Sequence, residues 1–133
     1  MRAIEMAMSV ALAVLFAAAP AAATEDRVVR MKVTAYCCCS VCCGPNARGI
    51  TSTGKDATQT HGVAAAPKLL PYGTKLEIPG VVGVRVVDDT GGAMRQDARK
   101  GVYHIDLRFP GKEGAHQEAL KFGVKWLDVK ILP

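Results

Sequence analysis

Aromatic side chains are scarce in this 133-residue chain: three Tyr, three Phe and one Trp, 5% of the residues. With so few rings, and with its 17 Lys and Arg scattered, the chain lacks the stacking platforms and basic stripe of a nucleic-acid binder. After residue 23 no run approaches the roughly 20 apolar residues that a bilayer crossing needs, which excludes a polytopic membrane protein. Internal repeats and low-complexity tracts are missing too. A chain of this length has room for one domain and excludes a second catalytic one. Cysteine is absent everywhere except between Cys37 and Cys43.

What is present divides into two compositions. Arg2 gives a positive start, Ala7 to Ala19 an apolar stretch and Ala21-Ala22-Ala23 a small-residue cleavage pattern, so residues 1–23 read as a secretory signal peptide. The mature domain, 24–133, is then expected to be exported: periplasmic, cell-envelope or secreted. Its formal net charge stays at +5, because the leader removes one base (Arg2) and one acid (Glu5). A basic surface of this kind concentrates anionic polymers.

Five thiols, Cys37, Cys38, Cys39, Cys42 and Cys43, crowd into seven residues. In an oxidising compartment local disulfides are the first expectation, with one thiol left over and the pairing open. Cys39 and Cys42 also have the C-x-x-C spacing of a metal site. A tetrahedral zinc site draws on a second, distant ligand pair, and none is evident unless His61 contributes. The expectation is therefore a stapled loop, with no metal and no cofactor.

Along the mature chain, Met31, Val33 and Ala35 alternate with Arg30, Lys32 and Thr34, the period-two pattern of a half-buried strand. Residues 44–62, rich in Gly, Thr, Ser, Asn and Asp, read as an ordered loop. Short strands are expected at 62–66 and 74–78, the second entered through a Pro71-Tyr72-Gly73 turn. The valine-rich run Val81 to Val87 reads as a strand covered on both faces. Tyr103, Ile105 and Leu107 alternate with His104, Asp106 and Arg108, so one strand carries an ionisable trio on a single face. One helix is expected at 114–122, stopped by Gly123, and a last strand at 124–132. Six short strands and one short helix make a mainly β domain, with a small barrel as its expected architecture.

Val86-Val87-Asp88-Asp89-Thr90-Gly91-Gly92 sets two carboxylates at the end of an apolar strand. Taken singly, each such carboxylate reads as an acceptor for backbone N–H groups in the following turn. An ordered set of motifs goes further: Val33-Thr34-Ala35-Tyr36-Cys37, Thr51-Ser52-Thr53-Gly54, Gly62-Val63-Ala64-Ala65-Ala66-Pro67, Leu70-Pro71-Tyr72-Gly73-Thr74, Asp89-Thr90-Gly91-Gly92-Ala93, Ile105-Asp106-Leu107 and Glu118 to Val124. Over roughly residues 31–132, the chain resembles the 3D (three-aspartate) domain family. The resemblance implies a six-stranded double-psi β-barrel, shared with the C-terminal part of membrane-bound lytic transglycosylase A. By position, Asp89 and Asp106 match two of the aspartates. The third does not carry over, because Ala66 stands before Pro67.

The activity implied is lytic transglycosylation of peptidoglycan strands, with Asp106 as the single acid and base and Asp89 beside it. Asp88, Thr90, His104, Arg108 and Tyr36 are expected to bind substrate. For Asp106 to be an acid near neutral pH its pKa must rise, through burial or through the charge of Asp89; His104 and Arg108 would act in the opposite sense. Two other readings stand beside this one: a noncatalytic wall-binding barrel of expansin type, and an aspartic-protease-like homodimer built on Asp89-Thr90-Gly91.

Overall fold

The computed structural model describes residues 25–111 and 113–133. The expected signal peptide lies outside the described residues. The strands are β1 (Arg27–Cys37), β2 (Val63–Ala65), β3 (Lys75–Glu77), β4 (Arg85–Asp89), β5 (His104–Phe109) and β6 (Lys125–Ile131). Three short helices accompany them: α1 (Ser40–Cys43), α2 (Gly92–Arg99) and α3 (Ala115–Phe122). The chain is thus mainly β, a six-stranded sheet with a few short helices. Among the described residues no helix is long and apolar enough to cross a membrane.

The strands pair in the order β1-β5-β2-β4-β3-β6, and β6 pairs again with β1, so each strand has two paired neighbours. β1 manages this by its length. Its first half, Arg27 to Val33, runs antiparallel to β6, while Lys32 to Cys37 runs parallel to β5. Alternation then sends one side of every strand into one core: Met31 and Val33, Val63 and Ala65, Leu76, Val87, Ile105 and Leu107, and Val129. Each fully buried aliphatic side chain contributes roughly 1.5 to 3 kcal/mol of transfer free energy, so this shared interior is the main source of stability.

Two expectations fail here. The valine run does not form one covered strand: β4 begins only at Arg85, and Val82 is 88% exposed. Gly80 and Gly83 both take positive φ (79°), a conformation that breaks a strand and that non-Gly residues rarely adopt. The expected count of one helix is also too low. α2 follows the Asp89-Thr90-Gly91 turn and buries Met94 and Ala98, one turn apart, on Tyr36, Ala64 and Ala66. It forms a second, smaller apolar cluster on the opposite side of β2 from the main core, over the strand face that carries the ionisable residues.

Candidate active site

β2 is the axis of the site. Ala64 is the register partner of Asp106 on β5 and of Asp89 on β4. In-register residues on neighbouring strands share a face, so the two carboxylates flank a single methyl group. Both line a cleft of about 700 Å³, along with Tyr36, Thr90, Met94 and the segment 46–50.

Asp106 is largely buried, and its carboxylate accepts one hydrogen bond, from Thr34 Oγ1 at 2.9 Å. Burial pushes its pKa up to about 6; the Thr34 bond opposes the shift and the charge of Asp89 adds to it. Asp89 has the opposite balance. Burial raises its pKa, yet donors overrule burial: Ser52 Oγ (2.6 Å), Ser52 N (2.9 Å) and Thr90 N (2.9 Å) on Oδ1, and the Tyr36 hydroxyl (2.9 Å) on Oδ2. The net effect holds Asp89 below the usual carboxylate range. One side chain therefore keeps its proton to near pH 6 while its neighbour stays ionised, an environment-driven split of two identical groups.

The expected substrate-binding residues separate into two sets. Tyr36 and Thr90 line the cleft, although Tyr36 is mostly buried and its phenol is pushed to high pKa, chiefly by burial. Asp88, His104 and Arg108 lie beneath the cleft, each no more than 5% exposed. Arg108 forms a two-pronged pair with Asp88 (Nη1–Oδ1 2.9 Å, Nη2–Oδ2 2.7 Å) and also donates to the Tyr36 hydroxyl (3.0 Å). Burial works against its charge, but these partners outweigh burial and keep it cationic. Gly62 is the third party: a Cβ there would sit 2.5 Å from both Arg108 Nη2 and Asp88 Oδ1. The pair packs directly on the glycine backbone.

His104 Nε2 lies 2.8 Å from Thr34 Oγ1, and its Nδ1 lies 2.8 Å from Asp97 Oδ2 but off the line of a hydrogen bond. Burial, with Lys32 nearby, keeps its pKa below the ordinary value in spite of Asp97. The opposition to Asp106 expected from His104 and Arg108 does not arise, because burial disfavours the charged form of His104 and Asp88 pairs with Arg108. Ala66, before Pro67, is buried against Leu69 and the α2 cluster.

The residues that sequence reasoning missed are supporting ones. Ser52 belongs to a motif already singled out, yet nothing in its spelling ties it to Asp89, 37 positions away. Asp97 arrives only with α2, for which the i, i+4 pair Met94 and Ala98 was the available signal.

The five cysteines are all free thiols. Cys37 Sγ is 2.8 Å from Cys39 Sγ and 3.2 Å from Cys42 Sγ. The lack of a distant ligand, on which the expectation of no metal rested, is corrected by the fold: His116, the second residue of α3, brings Nδ1 to 3.5 Å from both Cys39 and Cys42 and to 3.8 Å from Cys37. His61 is exposed and plays no part in this group.

No protein-family model matches this chain, and no curated protein matches it significantly.

Proposed function

We propose that this protein is an exported, glycan-cleaving enzyme of the lytic transglycosylase type, acting on peptidoglycan in cell-wall turnover, with Asp106 as its single acid and base. The observation that carries the reading is the split between the two carboxylates: a buried Asp106 with a pKa of about 6, beside an Asp89 that four hydrogen bonds keep ionised. The resemblance to the 3D family supports the same assignment. So does the strand circuit, whose two parallel pairs, β1 with β5 and β2 with β4, suit a double-psi β-barrel.

In this mechanism a glycan strand lies in the cleft and protonated Asp106 gives its proton to the glycosidic oxygen as the bond to C1 breaks. Asp89 faces the positive charge that develops on the sugar ring, and it is already anionic. The substrate's own C6 hydroxyl then attacks C1, closing a 1,6-anhydro ring, and Asp106 takes that hydroxyl's proton. Its carboxyl is regenerated with no second acid. The buried Asp88–Arg108 pair orients Tyr36, and through it Asp89, without touching substrate.

The net charge of +5 favours a polymer whose stem peptides carry carboxylates. A binding-only role is less well supported, since a module that holds sugars by ring stacking would present aromatic faces, and among the described residues Tyr36 is the cleft's only aromatic lining residue. The test is to incubate purified protein with peptidoglycan and identify the products by mass spectrometry. Anhydromuramic ends that vanish with Asp106→Asn are expected. Reducing muramic ends would replace the transglycosylase by a hydrolase, and unchanged glycan from active-folded protein would leave only binding.

A further inference from the structure

We propose that Cys37, Cys39, Cys42 and His116 form a structural zinc site that fastens the cysteine loop to the start of α3. Their ligand atoms, three Sγ and His116 Nδ1, all lie within 4.8 Å of one another. Zinc holds thiolate sulfur at about 2.3 Å and imidazole nitrogen at about 2.0 to 2.1 Å, so the edges of a tetrahedral Cys3His site measure roughly 3.6 Å (S to N) and 3.8 Å (S to S). The three sulfur-to-nitrogen separations, 3.5, 3.5 and 3.8 Å, already match that figure. Cys37 sulfur sits closer than that to the sulfurs of Cys39 and Cys42, at 2.8 and 3.2 Å, and these two pairs have to spread by up to about 1 Å.

The imidazole is what separates this reading from a stapled loop. A disulfide joins two sulfurs about 2.05 Å apart and has no use for a histidine. Here one ring nitrogen, brought from 74 residues beyond Cys42, touches all three thiols. Soft sulfur with one borderline nitrogen selects zinc over magnesium or calcium. Four protein ligands fill a tetrahedron, so the site serves structure and leaves no position for a reacting water.

The assignment also accounts for the odd number of cysteines. Cys38 and Cys43 stand outside the set: Cys38 faces the Gly111 carbonyl and Cys43 the Cys37 carbonyl. The metal would hold the loop that supplies Cys38, Cys42 and Cys43 to the cleft wall. This inference does not rest on the enzymatic reading, since binding, not turnover, is measured.

The full chain, purified under reducing conditions without chelator, is assayed by elemental analysis and by cobalt substitution. Expected are one zinc per chain and, with cobalt, the intense visible bands of a tetrahedral thiolate centre. His116→Ala and Cys42→Ser should each lower zinc affinity more than about 10-fold, while Cys38→Ser and Cys43→Ser leave it unchanged. Should His116→Ala fold poorly, His116→Cys decides: it retains one zinc with an altered cobalt spectrum. Protein that is folded but binds no zinc, a His116→Ala variant of undiminished affinity, or equal losses from Cys38→Ser and Cys42→Ser would each overturn the site.

Discussion

Asp89 and Asp106 meet across Ala64, each its register partner, one on β4 and the other on β5. The two strands are not paired with each other, and β2 alone separates them. A short strand, Val63-Ala64-Ala65, therefore sets the carboxylates near enough to influence one another while leaving an open cleft above. Their different partners then decide which one holds a proton.

Asp106→Asn should abolish glycan cleavage, by about 10²-fold or more, and stabilise the fold. The folded pKa of Asp106, about 6, exceeds the reference 3.8. Folding then binds a proton between these values, so its contribution to stability is intact below about pH 4 and is lost as pH rises through 6. At pH 7 the variant should gain roughly 1 to 3 kcal/mol in urea denaturation, and the gain should disappear near pH 4.

Asp89→Asn removes the like charge and should move the pH–activity profile, and the titration of Asp106 followed by carboxyl NMR, toward acid. The sign of its own linkage is opposite. With its folded pKa lowered, Asp89 adds stability above the usual carboxylate range that is lost as pH falls. Asp89→Ala should cost about 1 to 3 kcal/mol, because Ser52, Thr90 and Tyr36 lose their common acceptor.

Thr34→Val keeps the shape of the side chain and deletes the hydroxyl bonded to Asp106. That bond favours the ionised form, so its loss should raise the pKa of Asp106 further. The basic limb of the activity profile should shift upward. A downward shift would show that Thr34 chiefly stabilises the protonated acid.

Arg108→Ala should destabilise by about 3 to 5 kcal/mol, since Asp88 would remain buried without its guanidinium. Gly62→Ala should cost about 1 to 3 kcal/mol through contact with the same pair. Thermal unfolding checks both, and the glycine variant should fall between wild type and Arg108→Ala.

Strand periodicity was legible wherever one face is buried: Met31 and Val33, and Ile105 and Leu107, occupy the core as their alternation implies. It misled at Val81 to Val84, where apolar content suggested a strand but two glycines at positive φ turn the chain. Asp89 and Asp106 could be singled out from the sequence and do share a cleft. Which of their neighbours would be buried could not be read, because His104 is met by α2, an element whose signal is just Met94 and Ala98, and Arg108 is covered by Thr60, Gly62 and Asp88. For the same reason His104 and Arg108 looked available on their strand. His116 gave no sign of its role: proximity to the cysteines depends on how α3 docks near the end of β1, which is a property of the whole fold.

The double duty of β1 shapes how the chain must reach its native state. Its strand partners begin at His104 and Lys125, so β1 has no paired neighbour until β5 and β6 have been made. Such long sequence separation slows folding and lengthens the interval during which apolar Met31 and Val33 stand unprotected. Until β5 and β6 are in place the strand circuit cannot close, so early intermediates expose the very face of β1 that the native core later covers.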